Sequence, residues 1–156
     1  MSAPTTYELE RLTEAKDKGY SFFMIKAEGN QPAFLYSVGM AERNLPDVLM
    51  FLDSEYVVPQ IRMLTQFLDF VIEGSKRFDA DQLSNGLNGL KKMVEMPCIE
   101  YSFQLLDAKQ RKQAIDNYMC RCHFFKEEFK HSPKALVVSS DFNPSWEEVT
   151  AQSQVN

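Results

Sequence analysis

Three runs rich in aromatic and β-branched residues crowd into the first 52 positions, and they constrain the architecture more than any other feature of the chain. Residues 20–27 read as a strand, and Gly29, Asn30 and Pro32 supply the turn chemistry after it. A hairpin is the simplest connection to the second run, residues 33–40. A polar loop through Glu42, Arg43 and Asn44, then Pro46, leads into the third, residues 47–52. Ahead of them, Thr5 and Glu8 have capping-box spacing, Leu9 and Leu12 form a short apolar stripe, and Gly19 is a natural helix stop.

Beyond residue 52 the period changes. Val57, Ile61, Leu64, Leu68 and Val71 recur at helical spacing, which predicts a long helix over residues 54–73 with Gly74 just past its end. Pro59 is tolerated there only in the first turn. Asn85-Gly86 and Asn88-Gly89 interrupt the next stretch, so a loop with one short helical turn is expected. Residues 96–105 alternate, placing Ile99, Tyr101, Phe103 and Leu105 on one face of a fourth strand. Asp107 is a candidate cap for a second long helix carrying Ile115, Met119, Cys122, Phe125 and Phe129, which Pro133 ends. Residues 135–139 make a fifth strand. The expected fold is therefore α+β: a single domain over residues 1–148, a mainly antiparallel sheet of about five strands, and two long helices packed on one side of it. Residues 149–156 have too little apolar content to hold order, which predicts a disordered tail.

The 156 residues suit one domain with one sizeable core, and a composition 44% hydrophobic and 25% charged is that of an ordinary globular protein. No stretch approaches the roughly 20 apolar residues of a membrane span, and the first residues lack a signal-peptide pattern, so a cytoplasmic location is expected. A net charge of -5 disfavours general nucleic-acid binding. Between Leu106 and Lys134, however, seven basic residues face four acidic ones, and Lys126, Lys130 and Lys134 form a candidate interaction face. Cys98, Cys120 and Cys122 are an odd set read as reduced thiols. On a helix Cys120 and Cys122 point to nearly opposite sides, which argues against a metal site with His123; one thiol should be buried and the other partly exposed.

No phosphate-cradling loop and no nucleophile elbow occurs, and only His123 and His131 could serve a nucleophile as base. Asp47 at a strand start and Asp141 at a strand end are candidates to converge at one sheet edge as a general-base or metal site, although such residues commonly bond nearby backbone amides. A more specific pattern is Tyr36-Ser37-Val38-Gly39-Met40, followed by Leu45-Pro46-Asp47 and, near the end, Ser139-Ser140-Asp141-Phe142-Asn143-Pro144-Ser145-Trp146. From about residue 19 to 146 this resembles an uncharacterised domain family of bacteria and phages, which has a Tyr-[Ser/Thr]-Val-Gly-[Leu/Met] strand, a His-Pro-Glu step and a terminal Trp-Pro-Asp…Pro-Trp segment. Leu45 stands at the family's His, Asp47 at its Glu, and Ser139-Ser140 at its Trp-Pro.

The resemblance implies that Tyr36, Ser37, Gly39, Pro46, Asp141 and Trp146 line a shared pocket or fix the fold, and it suggests a phage–host or defence-related role; the pocket candidates are Tyr36, Ser37, Gly39, Asp47, Asp141 and Trp146. The leading expectation is a small intracellular, non-catalytic interaction or ligand-binding module that needs no cofactor or metal. It would have a protein partner, with a small-molecule ligand and a homodimer left open. The alternative is a small hydrolase or metal-dependent enzyme using Asp47 and Asp141.

Overall fold

The computed structural model of the chain describes residues 4–52, 57–75, 101–124 and 131–154. Helix α1 (Thr6–Lys18) starts with the expected capping box: the Glu8 N–H donates to Thr5 Oγ1 and the Thr5 N–H to Glu8 Oε1. It ends on Gly19, which at φ 105° donates its N–H to the Ala15 carbonyl. Leu12 and Ala15 face inward, whereas Leu9, expected in the same stripe, is 47% exposed.

Strands β1 (Ser21–Ile25), β2 (Ala33–Val38) and β3 (Asp47–Leu52) follow as an antiparallel meander, with a 3-10 turn (Met40–Arg43) between β2 and β3. Helix α2 (Val57–Ser75) is the longest element; Pro59 lies in its first turn, and the helix runs through Gly74 instead of stopping before it. Strand β4 (Ser102–Leu105) and helix α3 (Ala108–Asn117), capped by Asp107, come next. After them are the single turn α4 (Arg121–Phe124), strand β5 (Ala135–Ser139) and helix α5 (Trp146–Gln154). The expected loop and helical turn between α2 and β4, and the strand residues 96–100, lie outside the described residues.

The strands form one sheet in the order β1-β2-β3-β5-β4. Its pairings are antiparallel except for β3 and β5, which run parallel with Asp47 opposite Ala135, so the sheet is mixed. The last strand in the chain thus sits inside the sheet, between the third and the fourth.

Both faces of the sheet are covered, which corrects the expectation of helices on one side. Met63, Leu64, Phe67, Leu68 and Val71 of α2 pack on Leu35, Val48, Met50 and Val138. On the opposite face, residues from α1, α3, α4 and α5 pack on Phe23, Phe34, Tyr36, Leu49, Phe51 and Val137. Interior strands buried on both faces need apolar residues at consecutive positions, which is why β3 and β5 read as unbroken apolar runs. Edge strand β4 keeps half of its predicted pattern. Tyr101, just before it, is buried and Phe103 stacks on Phe67 with ring centroids 4.8 Å apart, but Leu105 at its far end is 60% exposed.

The second long helix expected after Asp107 is broken. The Ala114 carbonyl accepts from the N–H groups of both Tyr118 and Met119, a widened turn that ends α3, and α4 restarts at Arg121. The Tyr118 ring anchors the break in the core, meeting Phe34, Phe51 and Trp146 edge-on. The predicted disordered tail is also replaced, because residues up to Gln154 form α5. Trp146 and Val149 bury that helix against the sheet, and Glu147 accepts from Gln104 Nε2 of β4 at 2.7 Å.

Candidate functional site

The residues singled out from the sequence separate into two places at opposite ends of the sheet. At the amino end of β3, Asp47 is buried: its Oδ1 accepts from the Ser37 hydroxyl at 2.8 Å and from the Met40 N–H at 3.2 Å. The Ser37 hydroxyl in turn accepts from the Val48 N–H at 3.0 Å, standing in for a backbone partner just beyond the last paired residues of β2 and β3. Asp47 Oδ2 has no hydrogen-bond partner. Burial pushes this carboxyl up to about 7, against the smaller opposing pull of the Ser37 and Met40 hydrogen bonds. Uptake of a proton relieves the cost of an ionised oxygen left without a partner.

Cys122 lies at the same end, buried, with its thiol directed at the Ser37 carbonyl 3.9 Å away. Burial, reinforced by the charge of Asp47, holds that thiol well above its usual range and so keeps it unreactive. Tyr36 is part of the same wall. Its oxygen accepts from the Arg121 backbone N–H at 3.3 Å, and burial holds its phenol well above the usual value. The Arg121 side chain bridges outward, 4.8 Å above the Phe23 ring and 3.6 Å from Glu8.

Gly39 serves packing here. At φ 110° it turns the chain from β2 into the 3-10 turn, and a Cβ added to it would lie 2.8 Å from Ala15 Cβ and 3.0 Å from the Gly19 carbonyl oxygen. The close approach that a glycine at this position permits is thus to the end of α1. This end of the sheet is a packed polar cluster with the chemistry of a structural lock.

Asp141 and Trp146 belong to the other end. Asp141 follows β5, and because β5 runs parallel to β3 from Ala135 opposite Asp47, the length of β5, about 13 Å, separates the two carboxylates. They share no site. Trp146 is buried in the core against Tyr118.

At the end of the sheet where β3 and β5 finish lies a pocket of ≈ 590 Å³, walled by the β1–β2 connection, Leu52 and the segment after β5. Its walls include Pro32, Ala33, Leu52 and Phe142, and its polar groups include Asp141 and Asn143. Asn143, which the sequence reading passed over, organises this end. Its amide donates to the Phe51 carbonyl at 2.8 Å, and its oxygen accepts from Gln60 of α2 at 3.0 Å and from the Ser140 hydroxyl at 2.6 Å. The isolated bridge between Ser140 and Asn143 closes the turn that presents Asp141 and Phe142 to the pocket. An Asn two residues after an Asp at a strand end is a turn signal, and it was the only hint available.

The candidate interaction face is represented by Lys134 alone, whose Nζ donates to Asn44 at 2.9 Å; Lys126 and Lys130 lie outside the described residues. Cys120 is exposed and Cys122 buried, as expected, but the cause differs from helical spacing: Cys120 sits in the break before α4 and Cys122 on α4. His123 pairs with Asp116 at 2.6 Å, and Asp116 with Lys112 at 2.7 Å. Among the described residues no three His, Cys, Asp or Glu side chains gather closely enough to hold a metal ion. No described helix is long and apolar enough to cross a membrane. Comparisons of the chain with protein-family models, with curated proteins and with solved structures each return no match.

Proposed function

We propose that this chain is a small-molecule binding module without catalysis of its own, and that its ligand occupies the pocket at the carboxyl ends of β3 and β5. One observation carries this reading. The next described element after β3 is α2 on one face of the sheet, whereas β5 leads to α5 on the other. Where adjacent parallel strands send their connections to opposite faces, a crevice opens outside their carboxyl ends, and in open α/β sheets ligands bind in that crevice. The step from crevice to ligand is fold-level analogy, supported by a volume within the roughly 300–1,000 Å³ typical of small-molecule sites.

Binding is favoured over hydrolysis by the placement of the carboxylates. A paired-carboxylate enzyme needs both groups within reach of one substrate, and Asp47 is buried at the far end of the sheet from Asp141. A fragment screen read by amide chemical shifts tests the reading. Hits should move the amides of residues 140–143, and Ala27→Trp, placed on an exposed wall residue, should abolish them. Hits that map elsewhere, or that survive Ala27→Trp unchanged, would overturn it.

A further inference from the structure

Resting on that ligand-binding reading, we infer that the pocket selects an organic cation: an ammonium-type group held at Asp141, on an apolar body that lies against Phe142 and Pro32. The described lining of the cavity mixes polar groups with apolar side chains and carries charge of one sign. Asp141 and Glu148 are among its lining residues, and among the described residues no Lys, Arg or His lines it. Asp141 is exposed, and among the described residues its carboxylate has no hydrogen-bond or ion-pair partner, so it is open to a ligand at the rim.

Glu148 is held in place. Its Oε1 accepts from the Ser145 hydroxyl at 3.1 Å and from the Ser145 N–H at 3.4 Å, while its own N–H donates to Ser145 Oγ. This box closes the start of α5, whose partial positive charge would suit an anion, and it adds a fixed negative charge there. A carboxylate ligand would meet like charges on two sides.

The apolar half of the ligand follows from the walls. Phe142 is 40% exposed although large and apolar, and it adjoins Asp141 in the turn that Ser140 and Asn143 close. Beside it, Pro32, Ala33 and Leu52 continue an uncharged surface into the crevice.

The test is an amide-shift titration of the full chain at low salt with three matched probes: hexylammonium, hexanol and hexanoate. Hexylammonium should bind at residues 140–143 about two- to fivefold more tightly than hexanol, and hexanoate more weakly still. Asp141→Asn should bring hexylammonium down to the hexanol level, and added salt should weaken hexylammonium selectively. If hexanol or hexanoate binds these residues as tightly as hexylammonium, or if Asp141→Asn changes nothing, selection for a cation is overturned while the ligand pocket stands. If none of the probes moves these amides and the fragment screen also finds nothing there, both readings fall.

Discussion

Asp47 shows how one buried residue can couple stability to pH. Its carboxyl moves from the ordinary 3.8 to about 7 on folding because burial strips it of water and leaves one oxygen unbonded. Between those values the folded chain keeps a proton that the unfolded chain has released, so the stability this proton confers is complete below about pH 4 and is lost as pH rises through 7. Asp47→Asn removes the titrating group. The stability of the variant relative to the wild type should therefore rise with pH, by about 1.4 kcal/mol per unit between pH 4 and 7. Urea unfolding of both proteins at pH 5 and pH 7.5 measures this, and a difference that stays constant with pH would contradict it. Other carboxylates titrate in both proteins and cancel in the comparison.

Among the elements, the corner where α1, β1 and the 3-10 turn meet depends on two glycines that approach each other. Gly39→Ala would force a side chain against Ala15 and the Gly19 carbonyl, at a φ that L residues avoid. The cost should be about 2–4 kcal/mol in denaturant unfolding; a cost within experimental error would mean that the corner relaxes. Strand bounds at this scale were readable where punctuation was strong. Residues 47–52 and 135–139 are bounded by proline and polar residues and match β3 and β5 as observed. The helix break at Tyr118 was hidden, because Ile115, Met119 and Cys122 keep helical spacing across it, and what ends α3 is the ring of Tyr118 entering a core built by distant strands. The order of α5 was hidden for a similar reason: composition undercounts a helix that Trp146 and Val149 anchor in the core.

At the scale of the whole molecule, the two layers share the central strands and should unfold together. Trp146 is the single tryptophan and lies in the layer opposite α2, so its fluorescence reports on one side of the sheet only. Leu64→Ala, in the α2 layer, should lower stability by about 2–5 kcal/mol and shift the Trp146 fluorescence transition by the same amount as the far-ultraviolet circular dichroism transition. Separate midpoints would mean that the layers unfold independently. The layering and the pocket were the least visible features in the sequence, and for one reason. A strand buried on both sides shows no alternation, so it does not say which face its helix covers. The pocket joins Pro32, Leu52 and Asp141 only because β5 runs parallel between β3 and β4, a long-range arrangement that spacing does not encode. Asp47 and Ser37 were found because the strand motif that carries them is local, and Asp141 was found without its true neighbours.

The insertion of β5 also sets a timetable for synthesis. A chain made from its amino end completes β1, β2 and β3 before β5, and among the described strands β3 lacks its second neighbour and β4 lacks a partner until residues 135–139 have been made. Throughout that interval the nascent protein carries an unpaired apolar strand edge, the kind of surface that pairs with other chains. The sheet can close only after residues 135–139 have been made, so the protection of this protein from aggregation depends on what shields its growing chain until then.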